Sequence, residues 1–148
     1  MYVHIHTQIG LDYLNGRLEQ LHAGLQPKFG KMTCHQMICH LSDLFRVGFG
    51  LIDVPEFGTL TPEEVEELTQ AGKTVPVPRG FDQAMGEGTK PTVFEEDVTT
   101  LKGFIDDFNA LPDDHVFCLH PYFFSMDKQQ WTVLVNYHIN YHLEQFGI

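Results

Sequence analysis

The segment "NYHINYHLEQFGI" carries two histidines four residues apart, His138 and His142, followed by Gln145. On a helix, that spacing puts two side chains on one face with β-carbons about 5–6 Å apart. Two neutral imidazoles can converge on one cation from there. The pair alone is half a site, since a chain with nine histidines produces such spacings by chance. His40 supplies a third nitrogen. It falls on the apolar face of another helical segment, where an unpaired imidazole is costly. Helical bundles build metal sites from side chains on facing helices. His40, His138 and His142 would leave coordination positions open, as in catalytic rather than structural zinc sites. All-imidazole ligation suits Zn, Ni, Cu or Fe(II). The competing reading makes His40 a core histidine bonded to a backbone carbonyl, to Tyr137 or to Tyr141.

Two polar residues stand at the right phase to orient these rings: Gln145, three after His142, and Asp43, three after His40. Either could accept the second N–H of a ligand imidazole, or be a polar residue at the edge of an apolar stripe. "CHQMICH" offers a rival zinc site from Cys34, His35, Cys39 and His40. Five-residue spacings diverge by about 140° around a helix, however, so only His35 and Cys39 share a face. The two cysteines then read as small, partly buried apolar residues. His4 and His6 alternate as on a strand or loose arm and read as solvated. His120, in "LHPYFF", precedes a proline and is expected to be extended. It is a candidate proton donor at the site mouth, or a residue that ties its own loop together.

Four segments carry the helical period needed to position these groups. Leu11, Leu14, Leu18, Leu21 and Leu25 make the first stripe, closed by Pro27 and Gly30. The second starts at a capping box, Thr33 with Gln36, and continues through Met37, Leu41, Leu44 and Gly48. The third runs through Phe94, Val98, Leu101, Ile105 and Phe108. The fourth is capped by Ser125, with Asp127 in its first turn, and presents Trp131, Leu134, Val135, His138, Tyr141, His142 and Gln145. Between the second and third lies a long stretch from Ile52 to Pro91. It contains a short acidic helix, with Thr61 as cap, Pro62 at the first position and Gly72 past the end. A stretch this long is usually functional or packed over something, and it is expected to cover one end of the fold. The expected architecture is one all-α domain over residues 1–148, an antiparallel four-helix bundle with a long crossover connection.

Composition narrows the function classes. The length of 148 residues suits one core, and 43% apolar content argues against disorder. A net charge of −11, with nine scattered Lys and Arg, disfavours nucleic acid and anionic membranes as partners. No run is long and apolar enough to span a bilayer, and "MYVHIHTQIG" lacks the features of a signal peptide. Three cysteines fit reduced thiols. The expected compartment is the cytoplasm.

"MTCHQMICHLSDLFR" and "YHINYHLEQFG" resemble the DinB/YfiT-like superfamily of bundle metalloproteins. "HPYFFSMDKQQWTVLVNYHINYHLEQFG" is similar to one uncharacterised branch of it, a domain of unknown function. Position by position, the resemblance implies a metal triad of His40, His138 and His142, zinc or nickel as the divalent ion, and a homodimer. It also implies thiol chemistry on a small molecule, since relatives include transferases that use low-molecular-weight thiols and a maleylpyruvate isomerase. A metal there would favour the reactive thiolate. The stretch from Ile52 to Pro91 has no counterpart in the thiol transferases, so a pocket it shapes belongs to this branch. Three functions are open at this point: a metal-dependent enzyme of thiol transfer, isomerisation or hydrolysis; a non-catalytic metal- or ligand-binding protein of stress response; and a purely structural bundle.

Overall fold

The computed structural model describes residues 2–148. Among them the chain is all-helical, with α1 at Gln8–Leu18, α2 at Cys34–Phe49, α3 at Pro62–Gln70, α4 at Phe94–Ala110 and α5 at Lys128–Gln145. A 3-10 turn, Gln83–Met85, lies between α3 and α4. The described residues form no strand beyond an isolated antiparallel bridge between His120 and Phe124. None of these helices is long and apolar enough to cross a membrane.

α2 lies at the centre of the packing, against both α4 and α5. It starts at the expected capping box. Thr33 Oγ1 accepts the Gln36 N–H at 3.1 Å, and Gln36 Oε1 accepts the Thr33 N–H at 2.9 Å, so both free donors of the helix start are satisfied. Its inner face buries Met37, Leu41 and Phe45. Phe45 meets Phe108 of α4 edge to face, with ring centroids 5.8 Å apart, an arrangement that suits the aromatic quadrupoles. Leu101, Ile105 and Phe108 of the α4 stripe are buried, whereas Phe94 and Val98 are only partly so.

Three expectations about the helices need correction. The first stripe outlasts its helix: α1 ends at Leu18, and the N–H groups of Gln20 and Leu21 bond three residues back. Leu21 is buried from this tightened turn. The cap of α5 is Asp127 rather than Ser125, because Asp127 forms its own capping box with Gln130. Its charge also suits the positive end of the helix. On α5 itself Tyr141 is exposed, and the core positions are Trp131, Val135, Ile139 and Leu143.

The N-terminal arm is extended but not loose. Val3 and Ile5 are fully buried, and their N–H groups donate to Asn140 Oδ1 and Asn136 Oδ1, both at 2.9 Å. His4 and His6 point the other way and are exposed, as alternation along extended chain requires. The long connection packs over α2. Thr61 and Glu64 form a capping box at the start of α3. Further along, Phe81 joins the core, Gln83 accepts from Gln36 through its carbonyl, and Thr89 binds Asp43.

Candidate metal centre

The sequence of α5 repeats a tetrapeptide, Asn136-Tyr137-His138-Ile139 and then Asn140-Tyr141-His142-Leu143. A four-residue repeat keeps each residue type on its own ridge. The asparagines face the N-terminal arm, the tyrosines face outward, and the histidines face α2. There they meet His40. Ring centroids are 4.7 Å apart for His40–His138, 4.7 Å for His40–His142 and 4.6 Å for His138–His142. One nitrogen from each ring lies within 4.8 Å of the other two, so the cluster could hold a metal ion.

Hydrogen bonds assign the nitrogens. Gln145 Nε2 donates to the Phe29 carbonyl at 2.9 Å, which turns Oε1 of the same amide toward His142. Oε1 lies 2.9 Å from His142 Nδ1. An amide oxygen only accepts, so Nδ1 carries the proton and Nε2 keeps its lone pair. Gln145 thus does what its phase suggested. The arrangement depends on Gly30, whose φ is +82°. A Cβ there would stand 2.1 Å from Gln145 Nε2.

His40 and His138 meet through their Nε2 atoms, 2.9 Å apart. Two imidazole nitrogens sharing a tetrahedral zinc would sit about 3.3 Å apart, given Zn–N near 2.0–2.1 Å. A small parting of the rings would admit the ion. Both Nδ1 atoms are sealed from solvent and have no hydrogen-bond partner. An unpaired buried polar atom is costly. Neither Tyr137 nor Tyr141 bonds to His40, and of the competing partners only a backbone carbonyl, that of Phe81, stands near its ring.

The rings are held neutral, which is the form that binds metal. Burial pushes His40 down to about 4, partly opposed by the Phe81 carbonyl. Burial, with His40 as neighbour, pushes His142 down to about 3, although the Gln145 bond favours protonation. His138 falls well below the ordinary histidine value from burial and from the facing rings.

Asp43 does not orient His40, contrary to expectation. Its carboxylate accepts from Thr89 Oγ1 at 2.6 Å, Thr89 N at 2.9 Å and Arg46 Nη1 at 3.0 Å. It fastens the long connection to α2 beside the site. Gly88, at φ +77°, permits this, since a Cβ would stand 2.6 Å from Asp43 Oδ2. No carboxylate or thiol among the described residues joins the three histidines as a fourth ligand. Beside them is a cavity of about 70 Å³, lined by His40, His138 and His120 with Leu44, Val47 and Phe81 among others. The middle stretch therefore does wall the site, through Pro78 and Phe81.

A second cluster forms one turn earlier on α2. His35, Cys39 and Asp97 of α4 bring donor atoms within 4.8 Å of one another. The sequence put His35 and Cys39 on one face but did not show Asp97. Cys34 and Cys39 are buried more fully than expected, and burial raises their thiols to about 11 and about 12. A larger groove of about 420 Å³ between α1 and α4 includes Leu11, Asn15, Lys102 and Asp106 and has no histidine.

No family model, curated protein or solved structure matches this chain.

Proposed function

We propose that the chain is a metal-dependent enzyme acting on a small molecule, with zinc or nickel held on Nε2 of His40, His138 and His142. The observation that carries this reading is the convergence of three neutral imidazoles, one nitrogen of each within 4.8 Å of the other two, with His40 and His138 lining a cavity. A metal with three protein ligands and open positions supplies Lewis acidity toward a bound thiol, water or carbonyl. Gln145 fixes the tautomer of His142. Asp43, through Thr89, holds the connection that walls the cavity. Leu44, Val47 and Phe81 keep the cavity apolar, where electrostatic interactions are strengthened.

The reaction class follows from the DinB/YfiT-like resemblance: thiol transfer, isomerisation or hydrolysis, with a low-molecular-weight thiol as the co-reactant in the first case. An antiparallel four-helix arrangement of α1, α2, α4 and α5, with α3 in the long crossover, belongs to the same reading.

Elemental analysis of the purified protein, wild type beside His40→Ala, tests it. About one metal per chain in wild type and none in the variant is the expected outcome. Wild-type protein that takes up neither zinc nor nickel would leave only the structural bundle.

A further inference from the structure

His120 is where the sequence left two roles open, and its ring has two edges with which to fill them. Pro121 keeps the backbone of His120 extended, and the chain then doubles back. His120 N–H donates to the Phe124 carbonyl, and Phe124 N–H donates to the His120 carbonyl, both at 2.9 Å. Closing this turn places Phe124 at φ +55°, the one left-handed residue other than glycine among those described. Such a conformation is uncommon for a bulky side chain and is held by its surroundings.

Inside the turn, the Tyr122 and Phe123 N–H groups both point at His120 Nδ1, at 3.0 and 3.2 Å. Backbone N–H groups only donate, so Nδ1 is the bare nitrogen and the ring proton sits on Nε2. The ring is buried, and burial keeps it from taking a second proton. Nε2 lies across the ring from those bonds and has no hydrogen-bond partner among the described residues. His120 lines the same cavity as His40 and His138. Asp43 also lines this cavity, and its carboxylate is engaged by Thr89 and Arg46. With a water's share of liquid taken as about 30 Å³, the space holds the head of a ligand and not its body.

We propose that His120 Nε2–H is a fixed hydrogen-bond donor for the anionic head of a small ligand, a carboxylate or thiolate, seated in this cavity on the open side of the three histidines. This rests on the metal reading above. His120 is accordingly a neutral donor set by its own turn, not a metal ligand and not a shuttle that must change protonation state. The two roles coincide: Nδ1 ties the loop, and tying it aims Nε2.

The test uses the full chain loaded with cobalt(II), with cobalt content measured for each protein and azide as the anion probe, followed in the visible spectrum. His120→Asn keeps an acceptor close to the Nδ1 position but has no N–H at Nε2. His120→Gln can place an amide N–H near Nε2 but leaves the Tyr122 and Phe123 donors without their acceptor. We expect one cobalt per chain throughout. Azide affinity should fall about tenfold or more in His120→Asn, as for loss of one charge-assisted bond, with Tm close to wild type. In His120→Gln, azide affinity should stay within severalfold of wild type while Tm falls. A purely structural His120 predicts the reverse pattern, and equal azide affinity in wild type and His120→Asn would overturn the proposal. Loss of cobalt from His120→Asn would also overturn it, by making His120 a ligand. Failure of wild type to bind cobalt would be visible before any azide is added, and would bring down the metal reading together with this one.

Discussion

α2 presents two histidines five residues apart, His35 and His40, and each meets a cluster of metal-binding residue types. At His35 every group finds a partner. Asp97 accepts from His35 Nε2 at 2.6 Å and from Thr92 N at 3.0 Å, with Thr92 Oγ1 and the Cys39 thiol as further donors. At His40 the rings have mainly each other, and two Nδ1 atoms are left over. Residue types alone would rank the first cluster higher, because it mixes sulfur, nitrogen and oxygen. Satisfaction ranks them the other way. A closed network joins α2 to the start of α4 and does structural work, while an open one leaves ring nitrogens facing one another without a committed partner.

Acid should separate the two clusters most strongly. In the metal-free protein His40, His142 and His120 have folded values of about 4, about 3 and about 4, and His138 is also lowered. An unfolded histidine titrates near 6.5. The unfolded chain therefore takes up protons first as pH falls. The stability these neutral rings contribute is complete above about pH 6.5 and is lost below it, by at most about 1.4 kcal/mol per pH unit for each ring. Asp97 is also lowered: burial would raise it, but the Thr92 N–H and His35 outweigh that. Its contribution is full above about pH 4 and is lost only below, where the unfolded carboxylate begins to protonate. Urea midpoints at pH 7.5 and pH 5 should differ clearly, and equal midpoints would mean that the rings are not held neutral by the fold.

Next in size is Asp97→Ala. It strands His35 and the Thr92 N–H and should cost about 1–3 kcal/mol, with metal content unchanged. Metal lost along with Asp97 would move the metal centre to the second cluster. The smallest effect is expected from Gln145→Leu, which frees His142 to rotate and change tautomer. Metal affinity should weaken about 10–100-fold, read by competition with a chromogenic chelator. Unaltered affinity would reduce Gln145 to a loop fastener.

The helical content and the meeting of His40 with His138 and His142 were legible because helical periodicity and four-residue spacing are local rules. What escaped depended on partners far along the chain. The leucine stripe reported burial and not helix, so it ran on past Leu18. Asp43 had the phase of a histidine partner, but Thr89 and Arg46 took its lone pairs. Asp97 could not be assigned to His35 before α2 and α4 were known to touch. Asn136 and Asn140 were present in the same repeat as the histidines, and only the N-terminal arm gave them a purpose.

The hydrogen bond between Gln145 and Phe29 spans 116 residues, and the one between His138 and His40 spans 98. Contacts this distant in sequence close large loops and form late. A nascent chain that has made α2 but not α5 carries one of the three imidazoles and no cavity. The centre is in that sense a timestamp. A metal held there marks a molecule that has finished folding, and the unfinished chain presents no assembled trap for the ion.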